Sequence, residues 1–213
     1  MFFPYRDDNP RSIVPFVTYL LLFLNCSVFI VQTLGPEEFT MLFAIIPKMS
    51  SLDFSHFFLS LFTSMFLHGS LVHLIGNMLY LWIFADNVEG ILGHGKFAVF
   101  YVSAGLSAGI IQSLVDLTST IPIVGASGAI AAVLAAYMIL FPFAKIHTLV
   151  FIFFYFTTIR IPALFLLGFW FLMQITNGLS VFGVDTTGGV AWFAHIGGFI
   201  AGSILILTLK KTG

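Results

Sequence analysis

Charged residues leave six long apolar stretches in this chain: Ile13 to Val31, about Gly69 to Ala85, Phe97 to Val115, about Ser127 to Phe143, Ala163 to Leu179, and Gly189 to Leu209. An α-helix needs about 20 residues to cross a hydrocarbon core of roughly 30 Å. The pattern therefore predicts six membrane-spanning helices. Two further apolar stretches fit a crossing less well. Phe54 to Leu67 runs into the second span with no charged break, as expected of a segment that lies in the interface or dips partway in. Ile146 to Ile159 is short for a crossing and ends at Arg160-Ile161-Pro162, which places it in the loop between the fourth and fifth spans.

Composition agrees with this reading. Only 8% of residues are charged, against roughly 25% in a soluble domain, so a water-soluble globule is excluded. The net charge of −1 is spread without a dense basic run, and nucleic-acid binding has no support. The single cysteine, Cys26, can build neither a disulfide framework nor a thiolate zinc site. With its 213 residues spent on spans and short loops, the chain is expected to form a single domain over 1–213. The first span follows Met1 to Arg11 with no small-residue cleavage site close behind, as a retained span rather than a signal peptide would.

The cations orient the bundle. With the N-terminus in the cytoplasm, Arg6, Arg11, Lys96, Lys145, Arg160, Lys210 and Lys211 fall inside and Lys48 alone falls outside, out of eight in all. Glu37, Glu38, Asp53, Asp116 and Asp185 fall in outer loops. The expected class is an all-α membrane protein, a six-transmembrane helical bundle with both termini cytoplasmic. The Asp86-Asn87-Val88-Glu89 segment and Gly93-His94-Gly95 are expected to make the short inner turn before the third span.

Polar side chains inside a membrane are expensive and so point to function. Here they are His73 and Asn77 in span two, Ser127 between Gly125 and Gly128 at the start of span four, and His195 in span six, near Gly198 and Gly202. Each has an alternative. Ser127 and its glycines could serve close helix packing, and the histidines and Asn77 could form interhelical hydrogen bonds. Depth favours chemistry. From Ser127 to Phe141 about 15 helical residues rise only some 22 Å, too little to reach the outer surface, so Ser127 lies below it. His195 enters from the same side to roughly 9 Å. A serine hydroxyl is a poor nucleophile until a base takes its proton, and histidine is the usual base. With no third acid at that depth, the pattern predicts a Ser127–His195 dyad. His73 and Asn77, four apart, share a helix face and could donate to an oxyanion.

On the motifs His68-Gly69-Ser70-Leu71-Val72-His73-Leu74-Ile75-Gly76-Asn77, Gly125-Ala126-Ser127-Gly128-Ala129-Ile130 and Ala194-His195-Ile196-Gly197-Gly198 with Gly202, the chain resembles the rhomboid intramembrane serine proteases, above all the compact six-span prokaryotic type. The resemblance covers about 54–209. It implies that Ser127 is the nucleophile, His195 the general base, and His73 and Asn77 oxyanion-hole groups, with no cofactor. It also implies that the partners are transmembrane protein substrates met in the lipid bilayer of the cell membrane, the site opening to the extracytoplasmic side. Two features depart from the family pattern. Leu59-Ser60 stands where many relatives carry Trp-Arg, and Ala131 stands where some carry a Tyr that stacks on the catalytic histidine.

Neighbouring chemistries find no footing. Ala129 breaks a G-x-S-x-G elbow, no H-E-x-x-H occurs, and His68 and His73 are spaced off a shared helix face, so no metal is expected. His56, His94 and His147 fall in loops or interfaces. Two other functions remain to be weighed: a catalytically silent rhomboid-like protein that binds membrane clients, against which the intact Ser, His, His and Asn count, and a small transporter, for which neither a buried carboxylate nor an internal repeat is evident.

Overall fold

The computed structural model describes residues 2–36, 38–152, 155–183 and 189–210; Glu37, Asp185 and Lys211, counted above among the loop and end charges, lie outside these. In chain order the elements are β1 (Phe2–Asp7), α1 (Phe16–Leu34), the short α2 (Glu38–Phe43) and α3 (Met49–Leu52), α4 (Phe54–Thr63) continued by a 3-10 turn (Ser64–Phe66), α5 (Leu71–Leu92), α6 (His94–Val115), α7 (Ser127–Leu140), β2 (Lys145–Ile152), β3 (Tyr155–Pro162), α8 (Ala163–Val181) and α9 (Trp192–Leu209). Five helices, α1, α5, α6, α8 and α9, are long and apolar enough to cross a membrane. The helix α7 has 14 residues, about 21 Å at 1.5 Å per residue, and is shorter than a full crossing.

This short helix is the centre of the bundle. Every residue from Gly128 to Tyr137 is buried, and α9, α6, α5 and α8 all pack against it. Its alanines make that possible. A side chain on Gly198 would overlap the carbonyl of Gly128, and one on Gly202 would overlap the backbone of Ala132, so α9 lies backbone to backbone on α7. Small residues are the usual means of such approach between membrane helices, where burial of apolar surface gives little advantage over lipid. Larger side chains, among them Phe84 of α5 and Phe97, Phe100 and Tyr101 of α6, fill the rest of the core.

The second span ends later than its charges suggest. Instead of stopping at Ala85 and turning, α5 continues to Leu92, where Gly93 at φ 73° breaks it and α6 begins at once. The charges are absorbed by partners. Asp86 pairs with Arg11 at 2.7 Å. Glu89 is 0% exposed and accepts from the backbone N–H groups of Val17 and Thr18 at 2.9 and 2.8 Å, and from the Thr18 hydroxyl at 2.6 Å. Those amides open α1, whose first turn has no intrahelical acceptors, so the carboxylate satisfies them and meets the positive end of the helix dipole. Buried carboxylates therefore exist in this protein, and their partners give them a structural role.

The all-α reading also needs correction. The stretch expected to be a loop between the fourth and fifth spans forms a hairpin, β2 and β3, and β1 from the start of the chain joins it in an antiparallel sheet of order β1-β2-β3. Ile146, Thr148 and Val150 are buried while Lys145, His147 and Leu149 are not, a period of two that buries one face of the strand. Against the sheet lie the end of α5 and the start of α8. Asp8 accepts from His147 at 2.6 Å, and Lys96 at the start of α6 donates to the carbonyl of Leu209 at 2.9 Å. Arg6, Arg11, Lys96, Lys145 and Arg160 thus lie at one end of the bundle, with both the N-terminal strand and the end of α9. Lys48 lies at the other, its backbone N–H donating to Ser119 at 3.0 Å.

Candidate active site

Three helices begin at the end opposite the sheet, and the polar residues singled out above lie in their first two turns. Ser70 caps α5 by accepting from the His73 backbone N–H at 3.1 Å, which starts the helix so that His73 and, a turn later, Asn77 share one face. The helix α7 opens at Ser127 itself. The helix α9 opens at Trp192, and Gln112 of α6 accepts at 2.9 Å from the Ala194 N–H, which also donates to the Ala191 carbonyl at 3.1 Å, one residue before His195.

Glycines bring these turns together. Gly125 has φ 122°, and a Cβ there would lie 2.8 Å from Cε1 and 2.9 Å from Nε2 of His73, and 3.6 Å from Nδ2 of Asn77. The α5 pair therefore touches the backbone two residues before Ser127. On the other side, a Cβ on Gly128 would lie 2.5 Å from Cβ of Ala108 and 3.5 Å from the Ala194 carbonyl oxygen. Between these contacts lies a cavity of about 20 Å³, lined by Ser127 with Gly125, Gly128, Ser64, Ala191 and Ala194 among others, enough for about one water molecule. The strap 116–126 closes over it. Ile45 and Ile123 exchange backbone hydrogen bonds at 3.1 and 2.8 Å, and Gly125 N–H donates to Ser64 at 2.9 Å.

Ser127 is half-buried and makes no side-chain hydrogen bond among the described residues; Ser127 and His195 are adjacent to the same helix contact without being hydrogen-bonded to each other. His195 is 9% exposed. Its Nδ1 is bonded to Oε1 of Gln174 at 2.7 Å, and the ring of Trp170 lies over it with centroids 5.7 Å apart and planes at 35°. One aromatic partner of His195 thus comes from α8, and Trp192 of α9 itself meets the ring edge-on. Ala131, in the position where a tyrosine would have served, is packed with Ala135 and Phe199.

Asn77 is also held. Its amide Nδ2 donates to Nε2 of His68 at 2.9 Å, and Gln32 of α1 clamps the His68 backbone, accepting from its N–H at 3.0 Å and donating to its carbonyl at 2.9 Å. The rings of His68 and His73 meet edge to face at 5.1 Å. His56, His94 and His147 lie elsewhere, on the Leu42 carbonyl, Glu89 and Asp8 respectively. Among the described residues, no three His, Cys, Asp or Glu side chains converge as a metal site would require.

Sequence reasoning missed Gln32, Gln112 and Gln174. Each is an uncharged amide inside or beside an apolar run, and a carboxamide in a membrane helix was itself the available signal.

Long apolar helices packed around a buried polar cluster define an integral membrane protein of the multi-helix class. The chain belongs to the rhomboid family: the Rhomboid domain model matches residues 55–212. It is similar to the mitochondrial Rhomboid protein 1 of Saccharomyces cerevisiae, 32% identical over 155 residues, covering 70% of this chain and 42% of that protein. It is also similar to Rhomboid protease GluP of Bacillus subtilis, 32% identical over 203 residues (93% and 36%), and to Rhomboid protease GlpG of Klebsiella pneumoniae, 32% identical over 110 residues (52% and 39%). The chain spans less than half the length of each of these relatives.

Proposed function

We propose that this protein is an intramembrane serine endopeptidase that cuts the transmembrane segments of other membrane proteins, with Ser127 as nucleophile and His195 as general base. The observation that carries the reading is that the glycines beside Ser127 bring it to the first turns of two other helices, Gly125 against His73 and Asn77 of α5 and Gly128 against Ala194 of α9, the residue before His195. The positive ends of three helix dipoles converge there, where an acyl-transfer oxyanion would form. Names of relatives such as Rhomboid protease GluP support the same chemistry.

In the first half of the reaction, His195 Nε2 takes the proton of Ser127 Oγ as the oxygen attacks the scissile carbonyl carbon. His73, Asn77 and backbone N–H groups near Ser127 receive the oxyanion. The C–N bond then breaks, the proton passing from His195 to the leaving amine, and Ser127 is left as an acyl ester. Water then attacks that ester as His195 takes its proton, the acyl C–O bond breaks with that proton passing to Ser127 Oγ, and the carboxyl product leaves.

The domain is proposed to be one unit over 1–213 with six crossings, α7 and the five longer helices. The cations gathered at the sheet end support cytoplasmic termini, by the positive-inside tendency, and so a Ser127 site facing the extracytoplasmic side of the cell membrane. The test is direct. Protein in lipid vesicles is expected to cut a labelled peptide containing one transmembrane segment and to react with a fluorophosphonate at Ser127, and Ser127→Ala is expected to abolish both. Equal cutting by both proteins would sink the dyad, and absence of cutting and labelling in the wild type would leave the client-binding role instead.

A further inference from the structure

The hydrogen bond between Gln174 and His195 has a direction that the surrounding atoms fix. Gln174 is 5% exposed, and its Nε2 donates to the backbone carbonyl of Trp170 at 3.0 Å. A carbonyl only accepts, so the NH2 end of the amide is on that side and Oε1 is the end that meets His195. Oε1 also only accepts. The 2.7 Å contact to Nδ1 therefore requires the imidazole hydrogen on Nδ1, and in the neutral ring the lone pair is then on Nε2. Trp170 over the ring, and the edge contact with Trp192 at 6.3 Å and 88°, restrict its rotation.

We infer that Gln174 is a positioning residue, which holds His195 as the Nδ1–H tautomer with Nε2 free to act as the base. The inference rests on the Ser127–His195 reading and extends it. In hydrolases with a third group, a carboxylate both orients the histidine and stabilises the imidazolium. An amide orients without a charge, and so avoids burying a carboxylate that would need further partners in a membrane interior. The base is correspondingly left to work without an anionic neighbour. His73 on α5 is the titratable group in its electrostatic surroundings; α6, α7 and α8 present Gln112, Ser127 and Gln174 with Trp170 near this turn of α9, and Lys96 of α6 and Lys210, just after α9, lie at the sheet end.

The measurement is the rate at which a fluorophosphonate phosphonylates Ser127 in the full chain in lipid vesicles, followed against pH. In that step the Ser127 oxygen bonds phosphorus, fluoride leaves and His195 receives the proton, so no peptide substrate has to be identified. Gln174→Leu, which removes the acceptor, is expected to slow labelling about 10- to 100-fold. Gln174→Glu is expected to restore most of the rate at high pH and to move the acid limb of the profile upward by about one pH unit or more, because the carboxylate stabilises the imidazolium. A residue that only filled space would not move that limb. Ser127→Ala separates the two claims: if it still labels like the wild type, the dyad fails and this inference with it. If Ser127→Ala is silent while Gln174→Leu labels at the wild-type rate, or Gln174→Glu leaves the acid limb in place, the role of Gln174 alone is overturned. Should Gln174→Leu fail to fold, the Gln174→Glu profile decides.

Discussion

The two ends of α7 follow opposite rules. At Ser127 the neighbours are glycine and alanine, a small cavity remains, and the hydroxyl has no hydrogen-bond partner among the described residues. At Tyr137, three turns further on, space is filled. The ring packs edge-on against Phe84 with centroids 5.0 Å apart, and the hydroxyl donates to Asp7 at 2.6 Å and accepts from Asn9 at 2.8 Å. The difference separates reactivity from anchorage. A polar group left unmatched away from water costs free energy; the half-buried Ser127 hydroxyl at one end of α7 keeps its hydrogen-bonding capacity free, while the Tyr137 hydroxyl at the other end uses it to tie down the N-terminal segment.

The strongest way to break this contrast is to fill the open end. Gly125→Ala places a methyl 2.8 Å from His73 at a backbone φ of 122°, and is expected to lower cutting and fluorophosphonate labelling at least about 100-fold while costing only about 1–3 kcal/mol of stability. Undiminished labelling would show that the approach of His73 to the strap does not matter. Opening the filled end should do the reverse. Tyr137→Phe is expected to lower stability by about 1–2 kcal/mol, as Asp7 and Asn9 lose a partner, with the labelling rate at Ser127 unchanged well below the melting temperature. A slower Ser127 in that variant would mean that the two ends are coupled through α7.

The smallest effect concerns pH at the sheet. The hydrogen bond from His147 holds the Asp8 carboxyl below its ordinary 3.8. Its contribution is therefore present above that value and lost as pH falls through the folded-state pKa. Burial holds neighbouring Asp7 above the same value, so its contribution is present below 3.8 and lost as pH rises through the raised pKa. Hydrogen exchange of the β1 amides, corrected for intrinsic rates, is expected to quicken modestly as pH falls from about 4 to about 2, and Asp8→Asn should flatten that change. An identical quickening in the variant would remove Asp8 from the account.

How much of this was legible follows the range of each interaction. Long apolar runs reveal helices because burial in lipid depends on composition alone, and the motifs around His73, Ser127 and His195 are local. The end of α5 was misplaced because Glu89 is neutralised by amides of α1, about 70 residues away in the chain. The sheet was missed because β2 is apolar on its partly exposed face as well, at Leu149, which hides the period of two. Gln174 escaped because its importance depends on His195 across a gap of 21 positions.

The sheet also bears on how the molecule assembles. Phe3 pairs with Leu149, so strand β1 is synthesised well before its partner and must wait for the residues between them. Closing a flexible loop of that length carries an entropic cost of about 4 kcal/mol, which a few strand hydrogen bonds do not readily offset. Helices packed in the bilayer shorten the search beforehand. Pairing of β1 is therefore a late folding event, and its amides report whether the intervening helices have come together.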